Sequence, residues 1–147
     1  MYKHILIPTD GSPLAEKAVT AGIELAREAG AKVTLFTAVP EYEVPGEGKV
    51  MAHQVISLAE HARRSEIKAH ETLAPAAEKA RAAKVEFRTQ YAQRNRAWEA
   101  IVEAAKLYAC DAIVMASHGR TGISRLVPGS QTIDVLSHTN LPTLVVR

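Results

Sequence analysis

Residues 111–132, DAIVMASHGRTGISRLVPGSQT, carry the reading from which the rest of the chain follows. Ile113, Val114 and Met115 form a short apolar run of the kind found in a strand buried on both faces, and it stops at the small residues Ala116 and Ser117. A loop therefore begins at a strand's carboxyl end. Gly119 and Gly122 lack Cβ atoms and tolerate positive φ, so main-chain amides can curl round an anion without side chains in the way. Gly129 and Ser130 then open TIDVLSH, read as a helix, whose first N–H groups have no internal partner and attract negative charge. Two amide-rich surfaces flanking one loop suit a phosphate chain. Two other phosphate loops are absent from the sequence: there is no Gly-x4-Gly-Lys-Ser/Thr, and no G-x-G-x-x-G after a strand.

Outward from this stretch, apolar strands and helical segments alternate. Residues 4–9 (HILIPT) predict a strand, followed by Asp10-Gly11-Ser12-Pro13, in which Ser12 suits a helix N-cap and Pro13 the first helical position. Leu14, Ala18, Gly22, Leu25 and Ala29 recur at helical spacing, and Gly30 ends the run. Asp10 sits at the turn, where it either stabilises the bend through backbone amides or faces a ligand. Residues 32–39 (KVTLFTAV) predict a second strand, and 41–49, with Pro45, Gly46 and Gly48, a mobile loop.

From about 50 to 83 the composition is helical, with Pro75 expected to break or kink the helix or to start a second one. His53, His61 and His70 share no narrow face on it, which favours a solvated surface over a metal site. Residues 85–92 (VEFRTQYA) alternate as a strand near a sheet edge. Asn95 can cap a helix carrying Trp98, Ile101, Val102, Ala105 and Tyr108 on one face, with Trp98 a core anchor. After the 111–132 stretch, residues 141–146 (LPTLVV) form a last strand that Pro142 assigns to an edge. The βαβαβαβαβ order implies an α/β fold: one domain over 1–147, with an open five-stranded parallel sheet and helices on both faces.

Composition agrees with one globular domain: 147 residues, 47% hydrophobic and 23% charged. A net charge of +2, from 18 basic and 16 acidic residues, gives no strong pull toward nucleic acid or a membrane surface. No apolar leader region opens the chain and no stretch reaches the roughly 18 apolar residues of a membrane helix, so a soluble, cytoplasmic protein is expected. Cys110, the single cysteine, reads as a small core or boundary residue.

The spacing small116-x2-Gly119, nine residues, then Gly129-Ser130, resembles the nucleotide-binding signature of the universal stress proteins, G-x2-G-x9-G-S/T. The resemblance extends from ILIPTDGS at 5–12 to LPTLVVR at 141–147, essentially the whole chain. Ala116 departs from it, standing where the family's ATP binders usually have the first glycine. The resemblance implies the Rossmann-like strand order 3-2-1-4-5, which opens a crevice beyond the ends of strands 1 and 4. It also implies ATP as ligand, with Mg²⁺ at the phosphates.

The roles it implies follow the crevice. Ala38, Val39 and Met115 border the base; Pro8 and Thr9 lead to Asp10, which with Ala116 borders the ribose. His118, Gly119, Gly129, Ser130, Gln131 and Thr132 face the phosphates, whose charge Arg120 and Arg125 screen. Read by themselves, Ser130 is equally a helix cap, His118 a loop residue and the arginines solvated side chains. The family's terminal strand pairs with a second subunit, which implies a homodimer through 141–146. With no P-loop lysine and no evident general base, hydrolysis is expected to be slow at most. A nucleotide-independent interaction module on the same fold is the alternative. A phosphotransfer receiver is disfavoured, because the third strand ends Gln90-Tyr91-Ala92 rather than on an aspartate.

Overall fold

The structure, a computed structural model, describes residues 1–44, 56–119 and 129–147. Nine elements alternate along the chain among the described residues. They are β1 (His4–Pro8), α1 (Pro13–Ala29), β2 (Lys32–Val39), α2 (Leu58–Ala82), β3 (Phe87–Gln93), α3 (Ala97–Leu107), β4 (Ala112–Ala116), α4 (Ser130–His138) and β5 (Thr143–Val146). The strands are all parallel and lie in the order β3-β2-β1-β4-β5. β1 is therefore central, and the connections leave it and β4 in opposite directions, the arrangement that opens a crevice at the strands' carboxyl ends.

Side-chain alternation along the strands divides the core into two layers. Ile5, Ile7, Val33, Leu35, Ala112 and Val114 pack against Val19, Ile23 and Ala26 of α1 and Leu73, Ala76 and Ala80 of α2. On the other face Leu6, Phe36, Ile113 and Met115 meet Ala100, Ile101, Ala104 and Ala105 of α3 and Val135 of α4. Burial on both faces explains why β1, β2 and β4 read as continuous apolar runs rather than alternating ones. No helix among the described residues is long and apolar enough to cross a membrane.

Four local expectations change. α2 is one continuous helix through Pro75, because that residue lies on the exposed side, where water can reach the carbonyl left without a donor; Leu73, Ala76 and Ala80 face the core. The buried stripe of α1 is Ala15, Ala18, Val19, Gly22, Ile23 and Ala26; Leu14, Leu25 and Ala29 fall on its flanks. β3 starts at Phe87 rather than 85, since the Val85 N–H closes the end of α2 by donating to the Ala80 carbonyl at 3.0 Å. Asn95 does not cap α3. Arg96 holds the N-cap position without a side-chain bond, and the Trp98 N–H is met instead by Gln131 Oε1 of α4 at 2.9 Å. Ser12 and Gly30 cap α1 as expected, the latter with φ 67°. The loop expected at 41–49 and His53 lie partly or wholly outside the described residues.

Candidate functional site

The floor of the crevice is the end of β1 and the turn into α1. Thr9 N–H donates to the Phe36 carbonyl at 2.8 Å, the last rung between the two central strands. Beyond it the turn satisfies its own donors. Thr9 Oγ1 accepts from Gly11 N–H at 3.1 Å, Asp10 Oδ1 from Ser12 N–H at 2.9 Å, and Ser12 Oγ from Ala15 N–H at 3.3 Å. Asp10 thus does stabilise the turn. Its second oxygen lies close to the facing loop: a Cβ placed on Gly119 would lie 2.5 Å from Asp10 Oδ2, so a side chain there would displace the carboxylate.

The side walls are strand edges that outrun β1. β2 stays paired with β3 as far as Val39, whereas its register with β1 ends at Phe36 opposite Pro8. In a parallel ladder each residue turns its N–H and C=O to the same side, and successive residues alternate. Lys32 N–H donates to Lys3 and Phe36 C=O accepts from Thr9, while Val33 N–H donates to Glu86 and Val39 C=O accepts from Arg94. Even-numbered residues therefore face β1. Ala38 presents both main-chain groups to the crevice at a level where β1 has ended.

The opposite wall is the end of β4 and the start of α4. Thr132 is buried, and its hydroxyl spans the Ala116 and Ser117 carbonyls at 3.1 and 2.9 Å, fastening the first turn of α4 to the strand. Gly129 N–H is committed to the Ser117 carbonyl at 2.7 Å. Gln131, besides meeting Trp98 N–H, lines the cavity. Trp98 in turn lies against the His138 ring at the far end of α4, with centroids 4.3 Å apart, so this one residue at the start of α3 touches both ends of α4.

These segments enclose a cavity of about 340 Å³, within the size range of small-molecule sites. Pro8, Thr9, Asp10, Met115, Ala116, His118, Gly119, Gln131 and Thr132, all singled out from the sequence, line it together with Ala38. Ala116 lines the cavity, which stays open beside it.

Val39, Gly129 and Ser130 are not on that wall. Val39 is one residue out of phase, its carbonyl facing β3; Gly129 is the N-cap of α4 and its N–H is already used; Ser130 is the first residue of the helix. Arg120, with Gly122 and Arg125, lies outside the described residues. Phe36, Asn95, Ala97 and Ile101 line the cavity without having been marked as site residues. The shared parity of Phe36 and Ala38 on β2 was a signal for the first; nothing local in the sequence brings the turn before α3 to this place.

Among the described residues Asp10 is the carboxylate and His118 the imidazole of the wall, with Ser117 Oγ 3.3 Å from His118 Nδ1. Also among the described residues, no group of three or more His, Cys, Asp or Glu stands together as a metal site.

Comparison with known proteins agrees with this architecture. The universal stress protein family model matches residues 1–147. A universal stress protein of Methanocaldococcus jannaschii is 33% identical over 152 aligned positions, covering all of this chain and 83% of its own length. Among solved structures, a universal stress protein from Archaeoglobus fulgidus in complex with dAMP superposes with a TM-score of 0.70 at 24% identity, covering 99% of this chain and 98% of its own. A universal stress protein in complex with cAMP superposes with a TM-score of 0.74 at 22% identity, covering 99% and 97%.

Proposed function

The chain belongs to the universal stress protein family, and from that premise we propose that its crevice binds an adenine nucleotide, ATP included. The observation that carries this reading is the Ala38 main-chain edge on the cavity wall, together with the close approach of Asp10 and Gly119 on the same wall. An exposed N–H beside a C=O complements adenine, whose N1 accepts and whose N6 amino group donates; guanine offers the reverse pair. The Asp10 carboxylate is suited to accept from ribose hydroxyls. The amides at His118 and Gly119 and the first turn of α4, Ser130 and Gln131, are suited to phosphates, since a helix leaves its first N–H groups without internal partners. The binding of dAMP and cAMP by two structural neighbours supports the same ligand class.

Magnesium fits as a companion of the ligand rather than as a resident ion. Asp10 is the one carboxylate on the wall among the described residues, so most of the oxygens such a hard cation requires would come from phosphate and water. Hydrolysis is slow at most: the sequence has no lysine of the P-loop kind, and among the described residues Asp10 and His118 are the carboxylate and imidazole of the wall. The protein acts as a nucleotide-responsive homodimer, joined through β5, an edge strand that leaves Leu144 48% exposed.

Mass spectrometry of freshly purified, denatured protein tests the ligand, with calorimetry against ATP. Retained adenine nucleotide, or saturable heat with ATP, is expected. A blank in both sinks this reading and leaves a nucleotide-independent interaction module.

A further inference from the structure

The chain leaves β2 through Pro40 and Glu41, and side chains from distant elements hold that exit on two sides. Glu41 N–H donates to Asn95 Oδ1 at 3.0 Å, from the turn between β3 and α3. The Pro40 carbonyl, which can only accept, takes the Nε2–H of His61 in the first turn of α2 at 3.1 Å. The imidazole also packs on Tyr42, with ring centroids 5.4 Å apart, and Arg94 N–H fixes the Val39 carbonyl at 2.8 Å. Ala38, immediately before this clamp, has no strand beside it toward β1. The β3 ladder holds it on the other side through Thr37 and Val39, and the exit through Pro40 and Glu41 fixes how that end of the ladder is held.

We propose that Asn95 and His61 are positioning residues for base recognition, setting the angle of the Ala38 N–H and C=O through the clamp on Pro40 and Glu41. This rests on the reading that the crevice seats adenine. A fixed edge binds a planar ring better than a mobile one, because the ordering has been done before the ligand arrives. His61 acts at a distance, since it is not on the cavity wall. Asn95 does line the cavity, so its effect through Glu41 must be separated from a direct touch of its amide on the ligand.

Calorimetry on the full chain with ATP, ITP and inorganic triphosphate makes that separation. Losing one exposed hydrogen bond of the clamp is expected to weaken ATP about three- to tenfold in Asn95→Ala and in His61→Ala. Inorganic triphosphate, which has no base, keeps its wild-type affinity. ITP, whose ring presents a carbonyl and an N–H where adenine has the amino group and N1, gains nothing from the edge, so the preference for ATP over ITP narrows by the same factor. Asn95→Asp keeps the oxygen that accepts from Glu41 and removes the amide donors; it is expected to retain the wild-type preference, and His61→Gln, which keeps an N–H, to do so in large part.

Unchanged ATP affinity in both alanine variants overturns the proposal. An equal loss for inorganic triphosphate also overturns it, as does an Asn95→Asp as weak as Asn95→Ala, which would assign the effect to the amide itself. A wild-type chain without ATP heat overturns the adenine reading and this proposal with it, a result distinct from the others, all of which require wild-type binding.

Discussion

His4 illustrates what a single residue contributes beyond the crevice. It is buried at the other end of β1, with Nε2 2.7 Å from Thr34 Oγ1. Burial lowers its pKa below 6.5, and the cations of Lys32 and Arg88 push the same way, against Asp111. The unfolded chain therefore takes up the proton more readily, and stability is lost as pH falls below about 6.5 toward the folded value. Asp111 and Glu60 act in a lower window. Burial works against the Asp111 charge, but the N–H groups of Lys3 and His4 outweigh it, and bonds from Arg63 and Arg64 hold Glu60 at about 2. Thermal melts between pH 7.5 and 5.5 are expected to show a declining Tm in the wild type and a flatter profile in His4→Asn. Nearby, burial pushes the Cys110 thiol up to about 11, in keeping with its reading as a core residue. Asp10 was legible at this scale because an aspartate before glycine at a strand's end has few uses. Ala38 was assigned beside Val39, because which of two neighbours turns its main chain to the crevice depends on register with β1, and register is not written locally.

At the scale of the element, strands and helices were legible because burial on both faces leaves strands uniformly apolar, while Ser12-Pro13 and Gly30 punctuate α1. What failed was the phase of helices and the use of side chains supplied from afar. Five residues at helical spacing gave a face rotated from the true one: Ala18 and Gly22 lie in the buried stripe, but Leu14, Leu25 and Ala29 flank it, and Ala15, Val19, Ile23 and Ala26 complete it. Asn95 looked like a cap, yet its oxygen serves Glu41, while α3 is capped by a residue 33 positions away. Gly22 shows how close the contact is: an added Cβ would come within 2.5 Å of Ile7 Cδ1 and 3.3 Å of Val114 Cβ, both on fully buried side chains. Gly22→Ala is thus expected to cost about 1–3 kcal/mol by urea unfolding, its better helix propensity notwithstanding.

For the whole molecule, alternation of elements predicts a parallel α/β sheet, but the strand order came from resemblance to a family, and the structure has that order. The edge position of β5 followed from Pro142 and is observed. The proposed dimer adds a testable consequence: light scattering should give twice the mass of the chain, and Leu144→Lys should shift the balance toward monomer, with a loss of about tenfold or more in association, since it sets a charge in an apolar contact.

The cavity wall is assembled from short stretches scattered between Pro8 and Thr132, with α1, β2, α3, β4 and α4 each supplying part of it. No half of the polypeptide carries a usable site. Whatever occupies it stitches distant segments together, so occupancy should slow protease nicking across the domain rather than at one loop, and a chain that binds is thereby a chain that has finished folding.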